Sequence, residues 1–316
     1  MTTIHVRVPA TTANLGPGFD VLGLALDWWN EVWVRPLPAG ASDQVDIRGE
    51  GADSLPRDAR HRTLAALQAV YDAVGRARPP VALRAHNRIP LGSGLGSSAA
   101  AALAGALAAH ALLGEPLDQA ALLALVTRLE GHPDNAVPAL LGGLTACGLD
   151  DDGGVWFRPL PLAPAWQRGG LVVWIALPAV ALRTEEARRA LPRQVALPDA
   201  VYNLGRAVLL TEALRQGDPR LLRQAMRDRW HQPYRLPLIP GARQALQAAQ
   251  DAGAWAAALS GAGPSVAAFA PPSATQVGPA MQQAFAAAGV SARVWALRPS
   301  PHGAQVRTLP AAEATP

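Results

Sequence analysis

Residues 90–100 place three glycines and three serines directly before an alanine- and leucine-rich segment that continues to about residue 110. That segment predicts a helix over about 96–112, so the glycines lie at its N-terminus. Glycine tolerates positive φ, which lets successive backbone N–H groups face one anion, and the helix dipole favours negative charge there. Ser97 and Ser98 could cap the helix, or offer hydroxyls to a phosphate oxygen or a metal ion. A flexible turn before an ordinary helix is the alternative, but this crowding of glycine and serine favours an anion-binding loop.

The chain contains no lysine, so all 28 basic side chains other than histidine are arginine. The absence of lysine excludes a GxxxxGK[ST] phosphate loop, the lysine of protein kinases and any lysine Schiff base. Phosphates bound at the glycine loop would therefore be held by backbone amides, serines, arginines and a divalent cation.

Length and composition describe one or two domains with a substantial core. Of the 316 residues, 50% are apolar and 16% charged, and no apolar run is long enough to cross a membrane. A single cysteine, Cys147, excludes an internal disulfide. The N-terminus lacks the features of a secretory signal, so we expect a cytoplasmic protein without a membrane partner. The net charge of +4 comes from scattered arginines, which argues against a nucleic-acid partner.

Strand-like and helix-like segments mix without strict alternation, which favours an α+β fold. Strand patterns occur at 4–9, 21–26, 30–34, 81–85, around 144–147, and at 171–177, 255–259, 265–270 and 292–297. Helical patterns occur at 62–74, 96–112, 117–130, 184–190, 199–216, 218–228, 241–252 and 276–288. Prolines at 159–164 place a boundary near residue 160, giving domains of 1–160 and 161–300. We expect the tail, residues 301–316, to be loose.

Two segments of the N-terminal half carry candidate functional residues. Asn14 and Asp20 bracket a Gly-Pro-Gly turn directly after a strand; a wide turn with Asx caps is the plain alternative to substrate recognition. Glu130 ends a helix, where a carboxylate is either solvated or paired with a cation, and near phosphates it would serve Mg²⁺. His132 lacks a second histidine or cysteine at zinc-ligand spacing, which argues against a zinc site.

The C-terminal half adds a second glycine-rich turn and a set of arginines. The turn at 259–265, LSGAGPS, is weak evidence alone because such turns are common. Most surface arginines have no specific role, yet in a chain without lysine they are the available partners for a carboxylate or phosphate. The arginines singled out are Arg183, Arg188, Arg229 and Arg235.

Taken together and in order, these motifs resemble those of the GHMP kinases, a superfamily that includes galactokinases, homoserine kinases and mevalonate kinases. The 90–100 loop matches the ATP loop of that superfamily. The remaining motifs are similar to those of its homoserine kinase branch, over about residues 4–297. They are PATTANLGPGFDVLGLAL at 9–26, GHPDN at 131–135, RTEEAR at 183–188, HQPYR at 231–235 and LSGAGPS at 259–265.

The resemblance implies a two-domain α+β fold with a ferredoxin-like C-terminal domain, and ATP-dependent phosphorylation of the homoserine hydroxyl. It implies that Ser98 and Glu130 hold Mg²⁺, that Arg188 and Arg235 suit the substrate carboxylate and that Asp20 suits its ammonium group. The implied ATP-binding residues are Pro90, Leu91, Gly92, Ser93, Gly94, Leu95, Gly96, Ser97, Ser98, Ala99 and Ala100. The implied substrate-binding residues are Asn14, Asp20, His132, Asn135, Thr184, Arg188, Arg235 and Gly261. A homodimer is the tendency of the family.

Asn135, grouped with Glu130 and Ser98 as catalytic, stands where related kinases have an aspartate that is usually regarded as the base. An amide cannot accept a proton, so we expect catalysis by positioning and charge neutralisation, without a dedicated protein base. Asp134 is interpreted as a structural cap rather than a hidden base.

The chain departs from the family at 60–63, where Arg-His-Arg-Thr replaces a motif with asparagine near the adenine, so no adenine contacts are assigned. Trp28 and Trp29 are interpreted as packing residues. Two other functions stay open: a kinase for another small hydroxylated metabolite, and a catalytically silent ligand-binding relative.

Overall fold

Two β-sheets, each packed against helices, make up the structure, a computed structural model that describes residues 2–310. The helices are α1 Arg62–Ala73, α2 Ser97–Leu112, α3 Gln119–Glu130, α4 Ala136–Leu141, α5 Thr184–Arg189, α6 Leu197–Gln216, α7 Pro219–Ala225, α8 Gln232–Arg235, α9 Ala242–Asp251 and α10 Val277–Ala287. The strands are β1 Thr3–Ala13, β2 Leu22–Pro36, β3 Gln44–Gly49, β4 Val81–Asn87, β5 Leu144–Leu149, β6 Val155–Leu160, β7 Val172–Pro178, β8 Ala256–Leu259, β9 Val266–Ala270, β10 Ala292–Leu297 and β11 Gln305–Leu309.

The first sheet has the strand order β11-β1-β2-β4-β3, and β5, followed by β6, extends it from the first residues of β2, Leu22–Leu24. Its core contains the alternating apolar residues of β1, such as Val6 and Val8, together with most of α2. Helix α2 is buried on nearly all sides because its alanines allow close approach of neighbouring elements. The N-terminus of this central helix is therefore held rigidly at one end of the sheet.

The second sheet has the order β10-β7-β9-β8, with all pairs antiparallel. Along the chain its unit runs strand, helices, strand, strand, helix, strand, and α9 and α10 pack beside each other on the sheet. Numbered within the unit, the order is fourth-first-third-second, which is the ferredoxin-like arrangement. The expected α+β fold with a ferredoxin-like C-terminal part is confirmed.

The expectation of a loose tail is wrong for residues 305–309. Strand β11 pairs antiparallel with β1, from Thr3 opposite Leu309 to Arg7 opposite Gln305, and so returns the chain to the first sheet. The prolines at 299 and 301, just before β11, made this segment look like a loop. The pairing of β11 with β1 covers an edge of β1 that would otherwise be exposed. Residues 301–304 of the expected tail lead into this strand, and the Ala304 N–H donates to the Ala139 carbonyl. Residues 311–316 lie outside the described residues.

Other differences are local. Strands β3 and β6 and the short helices α4 and α8 were not predicted, and β2 is continuous where two strands were expected. Helix α7 ends at Ala225 rather than near 228, because the Asp228 carboxylate accepts the backbone N–H groups of residues 230–232 and starts a new turn. Trp28 packs against Trp295 and Trp29 is buried, as predicted. None of the helices within residues 2–310 is long and apolar enough to cross a membrane.

The packing of α1 on α2 makes a testable prediction at two helical glycines. A Cβ on Gly105 would lie 2.0 Å from the Thr63 carbonyl oxygen, whereas one on Gly205 in α6 would meet nothing within 4 Å. Gly105→Ala should therefore lower the free energy of unfolding by about 1–3 kcal/mol through overpacking. The matched control Gly205→Ala should raise it by about 0.5–1 kcal/mol. Urea unfolding measures both, and a neutral Gly105→Ala would contradict the described helix contact.

Candidate active site

The glycine loop presents uncapped backbone N–H groups at the start of α2. Gly92, Gly94 and Gly96 adopt φ of 59°, 74° and 72°, and Gly96 is the N-cap residue without any side-chain cap. A Cβ on Gly94 would lie 2.2 Å from the Ser260 carbonyl oxygen. The expectation that Ser97 or Ser98 could cap the helix is wrong, because their hydroxyls donate to the Ile89 carbonyl and to Glu130 instead. The first-turn N–H groups are thus left to bind an anion.

Glu130 reaches the loop from the last turn of α3. Its side chain is 8% exposed; Oε1 accepts a hydrogen bond from the Ser98 hydroxyl at 2.9 Å and lies 3.3 Å from Arg62 Nε. Of the two alternatives for this carboxylate, pairing rather than solvation is the one observed. A hydroxyl and a carboxylate therefore meet beside the anion-binding amides.

The GHPDN segment forms a hydrogen-bonded group after α3. Asp134 is buried, and its Oδ1 accepts hydrogen bonds from His132 Nδ1 and from the Asn135 amide. The side-chain oxygen Oδ1 of Asn135 accepts from the Thr11 hydroxyl at 2.8 Å. Burial lowers the pKa of His132, but its hydrogen bond to Asp134 and the charge of Asp134 outweigh burial and raise the pKa above its usual value. The interpretation of Asp134 as a cap is wrong, because its carboxylate accepts from these side chains and α4 has no side-chain cap.

Asp20 and Arg188 form a bidentate ion pair across the cleft. Both oxygen–nitrogen distances are 2.9 Å, and the side chains are 32% and 37% exposed, so they remain accessible to a ligand. Burial lowers the pKa of Arg188, but the hydrogen bond to Asp20 and the charges of Asp20 and Asp134 together outweigh burial and raise the pKa. Asn14 holds the turn in place: its Oδ1 accepts from the Asp20 N–H and its Nδ2 donates to the Gly261 carbonyl.

Arg235 is buried in the same wall of the cleft, at 1% exposure, and has no ion-pair partner within residues 2–310. Its guanidinium donates to the carbonyls of Ala187 and Gly261 and lies 5.1 Å from the centre of the Phe19 ring. Burial, followed by repulsion from Arg188, lowers the pKa of Arg235 to about 10. The arginine stays charged at neutral pH and is held by neutral acceptors.

One cleft of about 680 Å³ unites these groups. The expected residues that line it are Asn14, Asp20, Gly92, Ser93, Gly94, Gly96, Ser97, Ser98, Ala99, Glu130, His132, Asn135, Thr184, Arg188, Arg235 and Gly261. Pro90, Leu95 and Ala100 are buried behind the loop, and Leu91 faces a separate cavity. Arg229 pairs with Asp199 at the surface, and Arg183 is the N-cap residue of α5, so neither lines the cleft.

Sequence reasoning missed several residues that hold this cleft together. Thr12 and Ser260 join their hydroxyls at 2.9 Å, and Ser260 also donates to the Gly94 carbonyl. Thr11 and Phe19 belong to the motif at 9–26, and their closeness in sequence to Asn14 and Asp20 could have indicated that they lie at the site. Asp134 lines the cleft as well.

The chain is similar to known proteins over nearly its whole length. The family described as GHMP kinases N terminal domain matches residues 61–143, and the GHMP kinases C terminal family matches residues 210–287. The homoserine kinase of Moorella thermoacetica is 47% identical over 95% of this chain and 99% of that protein. The homoserine kinase of Carboxydothermus hydrogenoformans is 41% identical over 95% of this chain and 96% of that protein.

Among solved structures, homoserine kinase from Cytophaga hutchinsonii superposes with a TM-score of 0.85 at 32% identity, covering 96% of this chain and 97% of that one. Mevalonate kinase from L. major, at 18% identity and a TM-score of 0.68, shares the fold alone. On fold and on sequence, the chain belongs to the homoserine kinase family of the GHMP kinases.

Proposed function

We propose that the protein transfers the γ-phosphoryl group of ATP to the side-chain hydroxyl of L-homoserine, giving O-phospho-L-homoserine on the route to threonine. The observation that carries this proposal is the meeting, in one cleft, of the uncapped amides of the 92–98 loop with the charges of Asp20, Arg188 and Arg235. The loop suits a triphosphate, and the charges suit an amino-acid zwitterion. The relatives named homoserine kinase support the same assignment.

The substrate side is proposed from charge complementarity. Homoserine carries an ammonium group and a carboxylate. The Asp20–Arg188 pair offers the complementary charges, a carboxylate for the ammonium group and a guanidinium for the carboxylate. On binding, Asp20 would accept from the ammonium group, while Arg188 and the buried Arg235 would donate to the carboxylate. Asn14, Thr184 and Gly261 also line the cleft around these three residues. His132 lines it too, and its ring is hydrogen-bonded to Asp134.

Ser98 and Glu130 are the residues that we assign to Mg²⁺. Their oxygens are 2.9 Å apart, and both are hard donors beside the loop. Mg²⁺ is usually bound by one or two carboxylates together with waters and substrate phosphates. Within the described part of the chain no group of three or more His, Cys, Asp or Glu side chains could hold a metal, which fits that shared mode of binding. The bound ion would offset the negative charge of the phosphates.

Asn135 is proposed to position the homoserine hydroxyl rather than to deprotonate it. Its amide is fixed by Thr11 and Asp134 and cannot accept a proton. The raised pKa of His132 favours the protonated ring, which donates rather than accepts. Phosphoryl transfer has a loose transition state, so positioning and charge neutralisation supply most of the catalysis, and the hydroxyl proton leaves late, to a γ-phosphate oxygen.

The proposed function is tested by coupled measurement of ADP release with homoserine, mevalonate and galactose under identical conditions. Homoserine should support turnover at least about 100-fold faster than mevalonate or galactose. Neither of these has both an ammonium group and a carboxylate, so the charges of Asp20, Arg188 and Arg235 would not all find partners. ADP release that does not depend on homoserine would contradict the proposal. A preference for another alcohol would transfer the assignment to a different substrate of the same superfamily.

Replacing Arg188 separates the two halves of the cleft. Arg188→Ala should raise KM for homoserine by about 10- to 100-fold, the value of one charged hydrogen-bonded contact, and leave KM for ATP unchanged. The matched control is Arg189→Ala, because Arg189 is 73% exposed and its ion pair is with Glu185 at the surface. An effect confined to the KM for ATP would overturn the carboxylate assignment.

Replacing Glu130 tests the metal assignment. Glu130→Gln keeps the side-chain shape and should lower kcat and raise the MgCl₂ concentration needed for half-maximal rate, each by about 10- to 100-fold. Glu185→Gln serves as the control, since Glu185 is 77% exposed. Titration of MgCl₂ at fixed ATP measures the shift, and an unchanged Mg²⁺ requirement would remove Glu130 from the metal site.

The role of Asn135 predicts the effect of adding a carboxylate at that position. Asn135→Asp should not raise kcat, because the reaction does not wait for a base and the new charge would repel the phosphates. The measurement is kcat against pH for both proteins. A large gain in kcat, or a wild-type profile that follows one protein carboxylate, would contradict the role.

A further inference from the structure

His231 is a completely buried side chain that none of the steps above uses. It lies at the start of α8, one helical turn before Arg235, and its ring nitrogens contact the two parts of the substrate wall. Nε2 is 2.8 Å from the carbonyl oxygen of Gly16, in the turn that carries Asp20. Nδ1 is 3.3 Å from Nη1 of Arg235. One ring therefore bridges the turn of the first domain and the buried arginine of the second.

The partners determine the proton on this ring. A carbonyl oxygen only accepts, so Nε2 carries the hydrogen, and a guanidinium only donates, so Nδ1 presents its lone pair. We propose that His231, neutral and protonated on Nε2, is a positioning residue that holds Arg235 for the substrate carboxylate and fixes it relative to the Asp20 turn. This inference rests on the proposed function and names a residue that sets the affinity for homoserine.

Arg235 needs such a partner because its charge is kept free. It is buried and makes no ion pair within residues 2–310, so neutral acceptors alone hold it: the Ala187 carbonyl at 3.2 Å, the Gly261 carbonyl at 3.4 Å and His231 Nδ1. A carboxylate in the place of His231 would neutralise the guanidinium and compete with the substrate. A neutral imidazole fixes the guanidinium and leaves its charge for an anion.

The surroundings of His231 keep the ring neutral. Burial is the largest effect and lowers the pKa of His231. The charge of Asp228 opposes it, Arg235 lowers the pKa further, and the Gly16 carbonyl and Asp20 raise it by less, so the net direction is downward. The Asp228 carboxylate lies 3.7 Å from Nε2, but its Oδ2 already accepts the N–H groups of His231 and Gln232. The Phe19 ring stacks on the imidazole at 5.3 Å. Protonation of Nδ1 would set an N–H against the guanidinium and destroy the contact.

Three substitutions distinguish the two ring contacts. His231→Asn places an amide oxygen where Nδ1 accepts from Arg235, His231→Gln places an amide N–H where Nε2 donates to Gly16, and His231→Phe supplies neither. His231→Phe should raise KM for homoserine by about 10- to 100-fold, with KM for ATP unchanged and kcat at saturation changed by less than about 3-fold. His231→Asn should recover most of that loss, and His231→Gln should recover less. The control is His302→Asn, because His302 is exposed and its hydrogen bonds within residues 2–310 use its backbone groups, both with the Ser300 hydroxyl, and not its ring.

The pH dependence supplies a readout that a merely structural role would not move. In the wild type, KM for homoserine should rise as the pH falls below the usual histidine range, since protonated His231 no longer accepts from Arg235. That rise should be smaller in His231→Asn, which cannot be protonated at this position. An equal rise in both proteins, or equal KM values for the Asn and Gln variants, would overturn the inference even if His231→Phe fails to fold. The absence of homoserine-dependent ADP release from the wild type would instead overturn the proposed function.

Discussion

The active cleft depends on a small set of hydrogen bonds that join the loop 259–265 of the second domain to the first domain. Asn14 donates to the Gly261 carbonyl at 2.8 Å, and the Gly261 N–H donates to the carbonyl of Ala13. Ser260 donates to the Gly94 carbonyl at 2.7 Å. These contacts place the loop against both the substrate turn and the phosphate loop. These hydrogen bonds fix the two domains relative to each other, so the cleft between them has a defined shape.

The same loop contributes to holding the buried charge of the cleft. Asp20 and Arg188 pair with each other and are partly exposed, whereas the buried Arg235 is held by the carbonyls of Ala187 and Gly261 and by the His231 imidazole. A buried cation without a counter-ion is costly for stability, and such costs are typical of binding sites. An incoming carboxylate would relieve that cost, so part of the binding free energy is prepared by the fold.

The sequence alone predicted the parts of the molecule that depend on local chemistry. The alanine-rich helix α2 and the glycines at its N-terminus could be identified because their spacing and φ requirements are local properties. The residues of the other motifs were identified by their resemblance to the GHMP kinases. Most of the candidate site residues line one cleft; the exceptions are Pro90, Leu91, Leu95, Ala100, Arg183 and Arg229. The strand β11 was missed because its partner β1 lies some 300 residues earlier, and a five-residue strand has little signal of its own.

Contacts between distant segments account for the remaining differences. The Ser97 and Ser98 hydroxyls turned away from capping because Ile89 and Glu130 lie within reach, which no local pattern reveals. Nothing in the sequence indicated the role of His231, although it belongs to the HQPYR motif, because its two ring partners are 215 and 4 residues away, on different elements. Motif residues without an evident role, such as this histidine, are therefore the places where a structure adds most to sequence reasoning.

We propose that one cleft holds the triphosphate on the glycine loop and the zwitterion on the Asp20, Arg188 and Arg235 charges. The decisive measurement is a crystal structure with L-homoserine, Mg²⁺ and a non-hydrolysable ATP analogue. We expect phosphates on the amides of the 92–98 loop, the Asp20–Arg188 pair opened around the amino acid, and the homoserine hydroxyl about 3–3.5 Å from the γ-phosphorus. Homoserine bound outside this cleft, or an Asp20–Arg188 pair left intact beside it, would show that these residues do not bind the amino acid.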